Sequence, residues 1–258
     1  MVLVPRGGPW GDRISREARA RGLEPLVVPL IRATDPEDPA PFAAATSALA
    51  AGAYGWLVVT SATAVRRVAG RVSGLPAGVR VAAVGAETAA ACTASGWTVD
   101  VVPDDASAVD LVRAMPDTSG RILFPRSDIA RPTLADGLRG RGLDVDDVVA
   151  YRTVGTGSGP LDLRRTPDAV LVTSGSVARQ VALRLDPRDP RTCIACIGPR
   201  TAEDARAAGL PVHVVGATRS ATDLLDAVVA DLATPPTEQH RMRQHRVQQP
   251  ATQHQPGR

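Results

Sequence analysis

The feature that most constrains this chain is that it repeats itself. Thr173 and Ser174 follow the apolar run Ala169 to Val172, as Thr60 and Ser61 follow Trp56 to Val59. Gly198, Thr201 and Gly209 then answer Gly85, Thr88 and Gly96, and Ser220 and Asp223 answer Ser107 and Asp110, all at one offset of 113 positions. A second set, Leu3-Val-Pro-Arg6 with Leu123-Phe-Pro-Arg126 and Arg21-Gly22 with Arg141-Gly142, repeats at a different offset because the linkers differ. A period this long implies duplicated domains, since solenoid repeats run about 20 to 50 residues.

Within each copy, short runs of Val, Leu, Ile and Ala alternate with amphipathic stretches. Strands are expected at 2–5, 26–31, 56–59, 79–84, 98–102, 121–125 and 145–151, and helices at 13–21, 42–51, 62–72, 88–95, 108–115, 131–140 and 221–233, with 34–41 as a linker. Strands that are continuously apolar and separated by helices predict an α/β fold of two duplicated domains, each a parallel sheet flanked by helices on both faces.

Charge then removes a class of partner. The formal net charge of +3 comes from the stretch after Pro236, where four Arg face one acid; the body holds 26 Arg and 26 acids, so no global field steers a polyanion and nucleic acid is not expected. Every basic residue is Arg, which excludes a Schiff-base lysine. His213 is the sole histidine outside the tail, so neither a zinc cluster nor a Ser-His-Asp triad can be assembled. Cys193 and Cys196 have redox spacing, but they lie in a predicted strand where positions three apart face opposite ways, and they read as buried hydrophobes. There is no signal-peptide pattern and no apolar run near 18 residues, so a cytoplasmic protein without membrane contact is expected. The tail, 236–258, is rich in Gln, His, Arg and Pro and reads as disordered.

In a parallel sheet, the helices that follow the strands all begin at one edge, with unsatisfied amides and the positive ends of their dipoles. Small hydroxyl or glycine residues stand at these junctions: Thr60 to Thr63, Gly85 to Thr88, Ser107, Thr173 to Ser176, Gly198 to Thr201 and Ser220. Taken singly, each hydroxyl is an ordinary helix cap. Together they form two sets of neutral donors suited to an anion with several carboxylates or phosphates. Gly7 to Gly11 follows a strand but matches neither dinucleotide nor Walker spacing. The pairs Asp104-Asp105 and Asp146-Asp147 read as solvated faces, and Tyr151, at the end of a strand between the copies, as a core, hinge or functional residue.

Val-Thr-Ser after a strand, the runs Ala83 to Ala89 and Ile197 to Ala202 opening helices, and Val149-Ala-Tyr-Arg-Thr153 between the halves resemble uroporphyrinogen-III synthase in order and spacing. The resemblance spans about residues 1–234. It implies a discontinuous first domain of 1–32 plus 153–235, a second domain of 33–152, a two-stranded connector and a cleft. The implied reaction is cofactor-free closure of hydroxymethylbilane, with loss of water and inversion of ring D, on the route to haem, sirohaem and cobalamin. Tyr151 matches the family's tyrosine and is the expected catalytic group. Ser61, Thr88, Ser174, Ser176, Gly198 and Thr201 match its substrate-binding junctions, and Arg6, Arg126 and Arg131 are further candidates for carboxylate pairing, with surface ion pairs as their alternative. No metal is expected, the chain is expected to be a monomer, and a transient contact with the upstream synthase is a further expectation. Members of the family often carry Asn or Pro after the first Thr-Ser, where Ala62-Thr63 stands here. The rival reading is a non-catalytic regulatory protein of the same fold that binds a tetrapyrrole.

Overall fold

The computed structural model describes residues 1–185, 191–218 and 220–234; the predicted tail 236–258 lies outside the described residues. In chain order the elements are β1 (Val2–Val4), α1 (Gly8–Ala20), β2 (Pro25–Val27), β3 (Ile31–Thr34), α2 (Ala40–Ala50), β4 (Trp56–Val59), α3 (Ala62–Ala69), β5 (Arg80–Ala83), α4 (Ala86–Ala94), α5 (Ala108–Ala114), β6 (Ile122–Ser127) and α6 (Thr133–Gly140). They continue with β7 (Val145–Gly155), β8 (Ala169–Val172), α7 (Gly175–Arg184), β9 (Cys193–Cys196), α8 (Pro199–Ala207), β10 (Val214–Val215) and α9 (Ala221–Ala233). They make two compact units, one of Met1–Arg32 with the described residues from Val154 onward, the other Ala33–Thr153.

The first unit is built on a parallel sheet in the order β2-β1-β8-β9-β10. Its three central strands, β1, β8 and β9, are buried on both faces, which is why they read as unbroken apolar runs. Val2, Val4, Ala169, Leu171, Cys193 and Ala195 pack with α1 and α9, through Ile14, Ala18, Leu224 and Val228. The alternate residues Leu3, Val170, Val172, Ile194 and Cys196 pack with α7 and α8. Cys193 and Cys196 therefore face opposite sides of one sheet, as their spacing predicts, and all three cysteines are buried free thiols.

The second unit has the order β3-β7-β6-β4-β5, with β7, β6, β4 and β5 mutually parallel. Leu57, Val59, Val81, Ala83, Leu123 and Val148 pack under α2, α3 and α4, while Trp56, Val58, Ala82, Ile122 and Phe124 pack under α5 and α6.

The duplication extends to the register of the ladders. Trp56 pairs with Arg80 as Ala169 pairs with Cys193, each partner moved by 113 positions. Val2 pairs with Pro25 as Ile122 pairs with Val145, moved by 120. The two units are thus circular permutants. In the first, β1-α1-β2 precedes β8-α7-β9-α8-β10-α9; in the second, the equivalent of that later block, β4 to α5, comes first and β6-α6-β7 follows.

Three expected elements differ. The helix expected from Arg13 begins at Gly8, because Pro9 sits in its first turn, where a fixed φ and a missing N–H are no handicap. It ends where Gly22 takes φ +73, as its sequence suggests. The single strand expected over 26–31 is two strands in two sheets. Val28 and Leu30, on either side of Pro29, bond the carbonyls of Val4 and Pro5, and the chain then leaves β1 and joins the other sheet as β3.

The strand expected over 98–102 is reduced to one bridge, Ala82 with Val101. Here the Asp100 carboxylate accepts the Val81 N–H at 2.8 Å, in place of a backbone carbonyl. The other unit solves the same problem with a different residue. His213, which is 6 % exposed, accepts the Ile194 N–H on Nδ1 at 2.9 Å. Asp100 and His213 are related by the offset of 113. His213→Ala is expected to leave a buried amide unsatisfied and lower stability by about 1–3 kcal/mol, whereas His213→Asp, which copies the other unit, recovers most of the loss. Urea denaturation of both variants checks this.

A second prediction concerns alkaline pH. Burial pushes the Cys92 thiol up to about 11 and that of Cys196 to about 12. An unfolded chain ionises its thiols from about pH 8.5, while the folded chain keeps these two neutral. The stability they contribute is therefore fully present below that value and is lost as pH rises through about 11 to 12. The urea midpoint is expected to fall between pH 8 and 10.5, and to fall less steeply in Cys196→Ala.

Candidate functional site

Because the central strands of each sheet are parallel, the loops leaving their carboxyl ends share one edge, and every candidate residue lies at or near the edge of its own sheet. In the first unit these are Arg6 after β1, Ser174 and Ser176 after β8, and Gly198 and Thr201 after β9. In the second they are Ser61 after β4, Thr88 after β5, Arg126 in β6, Arg131 before α6, and Tyr151 in β7.

The hydroxyls do cap helices. Ser61 Oγ accepts the Ala64 N–H at 3.0 Å, and Ser174 Oγ accepts the Val177 N–H at 3.3 Å. Gly85 and Gly198 occupy the same place before α4 and α8 with extended backbone and no side chain to offer. At Gly85 the reason is space, because a Cβ would lie 2.8 Å from that of Ala106. Thr88 and Thr201, three residues further on, are buried.

Three of the six junctions already carry an acid in the first turn of their helix, Glu87 in α4, Asp110 in α5 and Asp223 in α9. Ser107 Oγ donates to the Asp110 carboxylate, and Asp223 takes the Thr218 hydroxyl, so α5 and α9 carry an internal carboxylate in their first turns. The first turns of α3, α7 and α8 hold no acid. In α7 an acid from elsewhere comes close, since a Cβ on Gly175 would meet the Asp204 carboxylate at 2.6 Å. Asp204 is itself 3.7 Å from the Arg200 guanidinium.

Within the second unit, two candidates meet. The Tyr151 hydroxyl lies 2.9 Å from Ser61 Oγ, and either can donate. Tyr151 is only 8 % exposed, so its ring belongs to the core while its oxygen reaches the sheet edge. Its neighbour Ser61 has one lone pair committed to the cap of α3, which fixes where the hydroxyl can point.

The arginines divide. Arg126 donates from Nε to Asp147 at 2.8 Å, and Asp147 also takes Arg139 at 2.5 Å. Burial works against ionisation of Asp147, yet the bonds from Arg139 and Arg126 hold its carboxyl below the usual carboxylate range. The pair Asp146-Asp147, read from sequence as solvated, is thus engaged: Asp146 accepts the Tyr54 hydroxyl, and burial together with that bond pushes the Tyr54 phenol up to about 12. Arg6 lies over the Trp10 ring at 5.0 Å, and Arg131 is exposed.

A cavity of about 460 Å³ in the second unit lies between the segment 36–41 and β7, and Tyr151 and Ser61 are not in its walls. Those walls carry Glu37, Asp38, Asp128 and Asp147 against a single cation, Arg152, a balance that disfavours a polycarboxylate. The chemistry is therefore read at the sheet edge and not in this cavity. Among the described residues no group of His, Cys, Asp and Glu could hold a metal ion, and no helix is long and apolar enough to cross a membrane.

Sequence reasoning missed Ser127, Asp128 and Thr153, which surround Tyr151 at the ends of β6 and β7. Ser127 Oγ donates to Asp128 Oδ1 at 2.9 Å and lies 3.0 Å from Thr153 Oγ1, and the Thr153 N–H donates to the same Asp128 oxygen at 3.0 Å. The available signal was Ser-Asp directly after a strand, a pair suited to bonding nearby backbone.

A family profile described as uroporphyrinogen-III synthase HemD matches residues 12–226. A uroporphyrinogen-III synthase of Synechococcus elongatus is 28 % identical over 162 residues, which are 59 % of this chain and 60 % of the relative's length. Two solved structures are similar in fold. A mutant uroporphyrinogen III synthase of Thermus thermophilus matches with a TM-score of 0.58 at 22 % identity, over 88 % of this chain and 96 % of that one. A uroporphyrinogen-III synthetase of Helicobacter pylori matches with 0.58 at 17 % identity, over 89 % and 97 %. The profile covers most of the 258 residues, and the chain belongs to the uroporphyrinogen-III synthase HemD family.

Proposed function

We propose that this chain is a uroporphyrinogen-III synthase that closes hydroxymethylbilane with loss of water and inversion of ring D, and that Tyr151 assists departure of the hydroxyl group. The observation that carries the reading, in a member of this family, is the Tyr151 hydroxyl held 2.9 Å from Ser61, which caps α3, a helix whose first turn holds no acid.

The chemistry fits what these residues can do. The linear substrate loses its hydroxyl and cyclises unaided to the uninverted isomer, so the protein must chiefly hold one conformation that favours attack at the substituted carbon, through a spiro intermediate. Within each unit, helix-start amides and hydroxyls whose first turn holds no acid, those of α3 in the second and of α7 and α8 in the first, can grip carboxylates without a strong acid or base. A phenol is a weak acid near neutral pH, so its contribution is a directed hydrogen bond to the departing oxygen. When Ser61 donates to the phenol oxygen, the phenol acts as acceptor from Ser61 and keeps its capacity as a donor.

The assay supplies fresh hydroxymethylbilane and separates the oxidised products by isomer. Protein-dependent formation of mainly the type III isomer, without added metal or nucleotide, is expected; the type I isomer alone, at the spontaneous rate, would favour the regulatory tetrapyrrole-binding reading. Tyr151→Phe is expected to lower kcat by about 10- to 100-fold without abolishing turnover, and an unchanged kcat would remove the phenol from the mechanism.

A further inference from the structure

We infer that Asp128 is a positioning residue for Tyr151, holding the bulge in β7 that turns the phenol toward Ser61. The inference rests on the synthase reading for its effect on turnover, and on the geometry of one strand for its physical content.

Along β7, side chains alternate between the two faces of the sheet. Asp147 bonds Arg139 of α6 on one face, and Val148 packs with α2, α3 and α4 on the other. By strict alternation Ala150 would share the face of Val148, and Tyr151 would return to the face of Asp147. Both Ala150 and Tyr151 instead pack in the cluster that holds Val148. The ladder gives the reason: β6 advances one residue, from Arg126 to Ser127, while its partners in β7 advance two, from Val149 to Tyr151. One extra residue on one strand is a β-bulge, which bends the strand and re-aims a side chain. Without it the phenol would lie on the wrong face of the sheet for Ser61.

A bulge breaks the regular ladder, and the backbone groups beside it need partners. Asp128 supplies them on both sides of Arg152. Its N–H donates to the Tyr151 carbonyl at 3.0 Å, and its Oδ1 accepts the Thr153 N–H at 3.0 Å. The same Oδ1 takes the Ser127 hydroxyl at 2.9 Å, and Oδ2 lies 3.9 Å from Arg152 Nε. Asp128 therefore acts on the backbone that carries Tyr151.

The test compares Asp128→Ala, which removes the acceptor, with Asp128→Asn, which keeps Oδ1 and loses the charge. The first is expected to lower kcat by about 10- to 100-fold with KM within about twofold, and the second to restore most of it. In a double-mutant cycle, Asp128→Ala is expected to have no further effect on kcat once Tyr151 is Phe, because both changes remove one function. A readout independent of turnover comes from the composition, since the chain has two tyrosines. In protein labelled with ¹³C at tyrosine Cζ, the Tyr151 signal, identified by its loss in Tyr151→Phe, is expected to shift in Asp128→Ala and return in Asp128→Asn, while that of Tyr54 stays in place. If Asp128→Ala does not fold, Asp128→Ser carries the same comparisons. Additive effects in the cycle, or an unmoved Tyr151 signal in the folded variant, would overturn the inference. A wild-type protein that yields no type III isomer would sink the synthase reading and leave the labelled-tyrosine comparison standing as the test of the bulge.

Discussion

Parallel strands buried on both faces leave a protein little choice about where to put polar chemistry. Inside the sheet, Val2 to Val4, Ala169 to Val172 and Cys193 to Cys196 are each covered by helices above and below, so no side chain there can meet a solute. All helices that follow such strands begin at the same edge, and their first amides lack partners within the helix. Hydroxyls and glycines at these starts are therefore both structural and available: Ser61 uses one lone pair to cap α3 and still meets Tyr151. Capping a helix does not keep a hydroxyl from meeting a second group, which is why the two readings of each hydroxyl did not exclude one another.

Much of this was legible in the amino-acid order because it rests on local pattern. The buried strands announce themselves as apolar runs, and β4 and α9 fall within the residues that periodicity assigns. What was not legible depends on partners far away in the chain. Nothing in Leu26 to Ile31 says that its two ends serve different sheets; that follows from the neighbour each end finds, β1 for β2 and β7 for β3. The strand expected near Val101 shrank because a side chain, Asp100, took an amide that a carbonyl would have held. The bulge beside Tyr151 is invisible to any rule of alternation, since it is a departure from that rule. At Arg126, residue type suggested carboxylate binding, but Asp147 on the neighbouring strand already fills that role.

The bulge also explains how a core tyrosine can serve an edge. Tyr151 is packed with Val148 and Ala150 in one core cluster, yet its oxygen ends beside a helix cap. Rigid elements position a reacting group more closely than loops do. The orientation of the phenol is thus set by the sheet and not by a loop.

The permuted order of the two units bears on how the chain acquires its shape. The second unit is contiguous, 33–153, and all its strands are available once β7 has been made. The first needs β1 and β2 from one end of the chain and β8 to β10 from the other, so on a ribosome it waits for nearly the whole sequence. Joining such distant segments would ordinarily carry the entropy of a long loop. Here that loop is a folded body whose two ends leave together, because β3, by which the chain enters it, and β7, by which it leaves, are neighbours in one sheet. Early completion of the inserted unit thus brings the two halves of the other sheet within reach, and makes the later unit depend on the earlier for the speed of its assembly.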